Sequence, residues 1–144
     1  MYCNYIYYRM NGRFQIAMHI LTLLNRANNE LLSSEYIAGS VNTNPALIRK
    51  ELSNLRNNGL IISKEGKSGG YGLAKSPQSI KLSDIYLSVK QTSILGQAKN
   101  LPNPNCSVGK QINNHLDNLY KEMDNTLLKK LDLTTLAEFS EQFD

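Results

Sequence analysis

Apolar residues recur at helical spacing over residues 11–27. Phe14, Ala17, Met18, Leu21 and Leu24 stand at i, i+3, i+4, i+7 and i+10, one face of an amphipathic helix. Ile16, Ile20 and Leu23 add a second stripe. The spacing therefore predicts a helix buried on two sides, shared between a domain core and a subunit interface. Asn28-Asn29 marks a turn, and Ser33 or Ser34 is placed to cap a short helix over residues 35–40, with Ile37, Ala38 and Val41 facing inward. Asn42-Thr43-Asn44 breaks that helix. Thr43 or Asn44 caps a third one, which carries Pro45 at its first position, where the missing N–H costs no hydrogen bond. Its core stripe is Ile48, Leu52 and Leu55, with Leu47 beside it, and Gly59 stops it.

At Leu60 the helical period ends. Leu60-Ile61-Ile62-Ser63 reads as a short strand, Lys64 to Gly70 as a glycine-rich turn, and Tyr71-Gly72-Leu73-Ala74 as a returning strand, together a β-hairpin. Ser76-Pro77 ends it. Ser83 is expected to cap a further short helix, with Asp84 in its first turn and Ile85, Leu87 and Val89 apolar. Residues 92–105 read as loop and contain Pro102 and Pro104. A long helix is then predicted from Ser107 to Leu131, with Ile112, Leu116, Leu119, Met123, Leu127 and Leu131 on one seam. At 1.5 Å per residue it spans about 36 Å, more than a domain of this size needs, so the seam suits pairing with the same helix of a second subunit. Thr134 or Thr135 caps a last helix to about Phe143. Residues 1–9 hold four tyrosines and no helix cap. They read as an upstream extension, with Met10 as a second candidate start, or as an arm that docks on a partner.

The fold expected is mainly α with a small β-hairpin: a helix-turn-helix and wing, followed by a long C-terminal dimerisation helix. The corresponding division is an extension over residues 1–9, a winged helix-turn-helix domain over 10–91, a loop over 92–106, and the dimerisation and C-terminal helices over 107–144.

Composition narrows the function. Of the 144 residues, 41% are hydrophobic and 19% charged, the balance of a folded globular chain. The apolar run Ile16–Leu24 is broken by His19 and Thr22 and is too short for a membrane span. No signal-peptide pattern opens the chain, so a soluble, cytoplasmic protein without membrane contact is expected. His19 reads as a helix-packed imidazole, because no second ligand is spaced to join it. The two cysteines, Cys3 and Cys106, and the scattered carboxylates give no metal-ligand spacing, so no metal and no cofactor are expected. Walker, HExxH and GxSxG motifs are absent, which disfavours an enzyme.

Charge is divided along the chain. Residues 10–75 carry eight Lys or Arg against four acids, whereas residues 76–144 carry seven Lys against eight acids. The basic front half suits an anionic partner. Arg49, Lys50, Ser53 and Arg56 share the outward face of the third helix, and Thr43 and Asn44 stand near its N-terminus, where free N–H groups and the helix dipole favour phosphate. The hairpin tip adds Lys67 between glycines that permit close backbone approach.

The run SSEYIAGSVNTNPALIRKELSNLRNNGLI, followed by SKEGKSGGYGLAKSPQSIKLSDIYLSV, resembles the signature of the Rrf2 family of bacterial transcription regulators, relatives of the iron–sulfur-cluster assembly regulator. The resemblance covers about residues 10–131. It implies a dimeric winged-helix regulator whose third helix enters the major groove and whose wing touches the flanking minor groove of double-stranded DNA; the function expected is that of a repressor, and two-fold symmetry makes its operator a pseudo-palindrome. Carried over by position, the DNA-binding residues are Thr43, Asn44, Pro45, Arg49 and Lys50, and at the wing Lys67, Ser68, Gly69, Gly70 and Tyr71. The dimer seam is Ile112, Leu116, Leu119, Met123 and Leu127. Cluster-binding members carry three closely spaced cysteines between the wing and the long helix, whereas this chain has Cys106 alone there. One thiolate cannot hold a cluster that wants four ligands, so the resemblance favours the cluster-free branch. Cys106, placed just before the long helix, reads either as a thiol sensor of oxidants or electrophiles or as a small residue at a loop–helix junction. A different class of function stays open beside the regulator: a winged-helix interaction module that controls, or is controlled by, a metabolic enzyme, or that answers to a small-molecule effector.

Overall fold

The computed structural model describes the backbone of residues 2–144 and the side chains from residue 12 onward. The element order is α1 (Tyr2–Arg26), α2 (Ser34–Val41), α3 (Pro45–Asn57), β1 (Ile61–Lys64), β2 (Gly70–Leu73), a single 3-10 turn (Pro77–Ser79), α4 (Leu82–Val89), α5 (Ile112–Leu131) and α6 (Leu136–Ser140). Among the described residues, six helices and one antiparallel hairpin make a mainly helical fold with a small sheet.

α1 is the hub. Its residues Ile16, Ala17, Ile20, Leu21 and Leu24 are buried, and α2, α3, α4, α6 and β2 pack around it. Both apolar stripes pack largely inside the chain, with Phe14 and Leu23 half-buried at their edges. The helix also starts earlier than the pattern suggests, at Tyr2 rather than near residue 11; the side chains of residues 1–11, including Cys3, lie outside the described residues. His19 is half-buried and shares a 2.9 Å hydrogen bond with the Ser40 hydroxyl of α2.

Ile37 of α2, Ile48, Leu52 and Leu55 of α3, Ile61 of β1, Ile80, Ile85 of α4 and Leu136 of α6 complete one core. Ser33 caps α2, accepting from the Tyr36 N–H, and Thr135 caps α6, accepting from the Glu138 N–H. Ser83 is not the cap of α4. The helix opens at Lys81, whose N–H donates to the Asp84 carboxylate at 2.9 Å, while the Ser83 hydroxyl is buried and donates to Asp132 at 2.7 Å.

α5 begins at Ile112, not at Ser107. Residues 107–111 form linked turns because the Gln111 N–H bonds to the Val108 carbonyl, and the Gln111 side chain takes the Ser107 carbonyl instead. Gly109 makes this fold possible: a Cβ there would stand 2.6 Å from the Asn103 carbonyl oxygen. The helix is thus 20 residues long, about 30 Å.

Candidate nucleic-acid interface

α2 and α3 are joined by three residues. Asn42 adopts the left-handed conformation (φ 59°, ψ 52°) that asparagine tolerates better than most residues. The N–H groups of Asn42 and Thr43 both reach the Ala38 carbonyl, which closes α2. Asn44 then caps α3: its Oδ1 accepts from the Ala46 N–H at 2.7 Å, leaving the amide NH2 as a donor. Thr43 is half-buried, and Asn44 and Pro45 are exposed at the N-terminus of α3.

Arg49, Lys50, Ser53 and Arg56 are all exposed on α3, opposite Ile48, Leu52 and Leu55. The one acid of this helix, Glu51, lies on the other side. It is only 2% exposed and pairs with the Arg13 guanidinium of α1, whose Nε donates at 3.0 and 3.3 Å to the two carboxylate oxygens. A charge that the sequence count sets against the basic face is therefore hidden behind it and neutralised there. The signal was present but weak, since Glu51 stands three residues after Ile48, on the core stripe.

The hairpin pairs Ile61 with Leu73, Ile62 with Gly72, Ser63 with Tyr71 and Lys64 with Gly70. Beyond the Lys64–Gly70 pair, Glu65, Gly66, Lys67 and Ser68 form the exposed tip. Gly66 has φ 100°, and the Gly69 N–H donates back to its carbonyl at 3.0 Å. A Cβ on Gly69 would collide with the Lys64 carbonyl oxygen, so the tip closes only with glycine there. Gly70 and Tyr71 are not at the tip but in β2. Tyr71 exchanges backbone hydrogen bonds with Leu32, 2.8 Å as donor and 3.0 Å as acceptor. Its ring packs partly buried against the core. This link ties the wing to the segment before α2, and no local pattern in the sequence foretold it. Arg56 Nη1 donates to the Ser63 hydroxyl at 3.0 Å, bridging α3 to the wing. The recognition face and the wing are thus held as one unit, with Arg49, Lys50 and Lys67 exposed on it.

The candidate sensor and seam lie elsewhere. Cys106 is an exposed free thiol in the loop, six residues ahead of α5. Its sulfur accepts from the Gly109 N–H at 3.5 Å. This backbone N–H, followed by that of Val108, holds its pKa below the usual thiol value. The cause is a local turn, six residues short of the long helix. On α5, Leu119 and Met123 are 44% and 40% exposed. Ile112, Leu116 and Leu127 are half-covered, and no residue of the helix is buried.

A short helix, a three-residue turn, a helix with an unopposed cationic face and a glycine-closed hairpin define a winged helix-turn-helix, a DNA-binding architecture. Residues 10–142 match the family model Rrf2, described as iron-dependent transcriptional regulator, and the chain belongs to this family. It is 36% identical over 129 residues to YwnA of Bacillus subtilis, named as an HTH-type transcriptional regulator, covering 90% of this chain and 95% of that one. A further relative, IscR of Cereibacter sphaeroides, is 30% identical over 82 residues, 56% of this chain and 53% of its own. Among solved structures, CymR of B. subtilis, the global cysteine regulator, shares the fold with a TM-score of 0.68 at 23% identity, covering 92% of this chain and 95% of that one. The chain is accordingly a DNA-binding transcriptional regulator; its family and relatives are regulators rather than enzymes. No helix among the described residues is long and apolar enough to cross a membrane.

The iron in the family's description does not fit the donors found here. Cys106 is flanked by Asn103, Asn105 and Gly109, and no group of three or more Cys, His, Asp or Glu side chains gathers among the described residues.

Proposed function

We propose that this regulator is a cytoplasmic homodimer that binds a pseudo-palindromic operator and represses transcription from it. The observation that carries the reading is the apolar seam of α5, where Leu119 and Met123 are exposed, Ile112, Leu116 and Leu127 are only half-covered, and none is buried along a 20-residue helix. A second copy related by a two-fold axis would cover Ile112, Leu116, Leu119, Met123 and Leu127 with the same residues of its own. That axis presents two copies of α3 to successive turns of the major groove, so the half-sites repeat by inversion at a spacing set by the helical turn. Arg49 and Lys50 face the base edges and the backbone, Thr43, Asn44 and Pro45 bring the N-terminus of α3 to a phosphate, and Lys67, Ser68 and Gly69 approach the flanking minor groove. Gly70 and Tyr71 serve the interface by fixing the wing.

Cys106 modulates occupancy in this reading. It is exposed and its pKa is lowered, the two properties that favour oxidation to a sulfenic acid or a mixed disulfide. Added bulk in the loop between the DNA-binding part and α5 alters how the two are joined.

Selection of duplexes from a random-sequence library by the purified protein tests the reading. An inverted repeat, with binding that falls steeply with salt, is the expected result. A module that only docks on an enzyme would select no repeat and show no steep salt slope. Oxidant should weaken binding reversibly, and Cys106→Ser should stay bound. A serine variant that releases DNA as readily as the parent removes Cys106 from the mechanism.

A further inference from the structure

α5 is fastened to the DNA-binding part at two levels. The lower level is its C-terminal end. There the Leu82 N–H donates to the Thr134 carbonyl at 3.0 Å, the Leu136 N–H donates to Ile80 at 2.8 Å, and Lys81 bridges Thr135. The Asp132 carboxylate accepts from Ser83 at 2.7 Å and meets Lys81 Nζ at 3.3 Å. This end is pinned mainly through backbone.

The upper level is one side chain. Eight residues before Asp132, about 12 Å along the axis, the Asp124 carboxylate accepts from the Ser93 hydroxyl and the Ile94 N–H, both at 3.1 Å, and meets Lys90 Nζ at 3.3 Å. All three donors belong to the segment that leaves α4. The Asp124 side chain is 13% exposed, whereas Lys90 reaches it from the surface. Burial alone would push the carboxyl up, but Ile94, Ser93 and Lys90 together bring it below the usual carboxylate value. Between Ile112 and Met123 no side chain hydrogen-bonds to another element among the described residues. α5 is thus a lever with a backbone pivot at one end and a single three-donor latch above it.

Such a latch is directional, because hydrogen bonds weaken steeply off line and charged ones are the stronger kind. A tilt of about 5° about the pivot moves the far end of a 30 Å helix by about 3 Å, close to one base-pair step. We propose that Asp124 is a positioning residue for operator binding: by clamping Lys90, Ser93 and Ile94 it sets the angle of α5 on the DNA-binding part, and so the separation of the two α3 helices in the dimer. The proposal rests on the dimer reading above.

The test uses the full-length protein and three duplexes. These are the one selected from the random library, the same duplex with one base pair added between its half-sites, and a single half-site. Asp124→Asn keeps the shape of the side chain and removes its charge. The variant should bind the selected duplex about tenfold more weakly, within the usual range of coupling between sites. Its preference for the selected spacing over the expanded one should shrink toward none, while half-site affinity and sedimentation mass stay as in the parent. Asp132→Asn, at the backbone-held pivot, should change the spacing preference by less than about twofold. Ser93→Ala and Lys90→Met, each removing one donor, should move it in the same direction as Asp124→Asn, and they carry the test if that variant fails to fold. A parent that selects no inverted repeat overturns the dimer reading and this proposal with it. A parent that selects one, with variants that keep its spacing preference or that lose half-site binding equally, overturns the latch alone.

Discussion

Ile48, Leu52 and Leu55 of α3 are sealed from solvent, whereas Leu119 and Met123 of α5, apolar residues at the same helical spacing, are 44% and 40% exposed. The contrast extends along the chain: no residue from 90 to 135 is buried, although α5 carries leucine at positions 116, 119, 127, 128 and 131. Composition does not separate the two helices; their neighbours do. α3 sits between α1, α2, α4 and β1, and α5 touches the rest of the molecule chiefly along α4. The front of the molecule is complete as a single chain. The back is joined to the front at Leu131, Leu136 and the backbone bonds around them, and above that by the Asp124 carboxylate, while Leu119 and Met123 keep an apolar face open.

The sharpest way to break this comparison is to cut the same number of methyl groups from each helix. Leu52→Ala should destabilise the fold by about 2–5 kcal/mol, because it opens a cavity in a filled core. Urea unfolding of Leu119→Ala should instead show a midpoint that depends on protein concentration more strongly than its intrinsic stability changes, as expected where the lost contact lies between copies. Equal effects at both sites would erase the distinction.

The Arg13–Glu51 pair is the next largest effect. Arg13→Ala leaves a carboxylate that is 2% exposed without its partner. The cost should be about 2–3 kcal/mol, at the low end for a broken buried pair because Arg13 itself reaches solvent. Thermal unfolding at neutral pH reads it. An unchanged stability would mean that Glu51 does not depend on Arg13.

On the front face, Arg49→Ala should cost about 1–3 kcal/mol at the selected operator and relax preference at one position. Lys67→Ala should weaken all duplexes alike and lower the salt slope by about one unit. If neither substitution changes affinity, α3 and the wing are not the docking surface. The smallest effect belongs to the loop. Because the Gly109 and Val108 N–H groups stabilise the thiolate of Cys106, alkylation by iodoacetamide should rise with pH about a midpoint below the ordinary thiol value of about 8.5. A midpoint at or above that value would mean those N–H groups do not act on it.

Much of the front half was legible in residue spacing. The cap positions, narrowed to Ser33 or Ser34 and to Thr43 or Asn44 and settled by the structure on Ser33 and Asn44, the breaker Gly59 and the stripe Ile48, Leu52, Leu55 are local signals, and local signals survive folding. The hairpin was equally plain from its glycines. The errors have a common source in contacts between distant residues. Ser83 looked like a cap until Asp132, 49 residues away, claimed its hydroxyl. Ser107 looked like the start of a helix until Gly109 folded against Asn103. Tyr71 was legible as a strand residue, but its pairing with Leu32 has no trace in either segment. Asp124 was invisible for the same reason: one aspartate on a polar helix face has no pattern until Lys90, Ser93 and Ile94 arrive around it.

The claim that a second copy completes the back half is met most directly by sedimentation equilibrium of the intact protein at micromolar concentration, beside a variant carrying Leu119→Glu and Met123→Glu. The account predicts the mass of two chains for the parent and of one folded chain for the variant, since like charges in the seam repel while the core of α1 to α4 is untouched. A parent that sediments as one chain, with Leu119 and Met123 open to solvent, would contradict it.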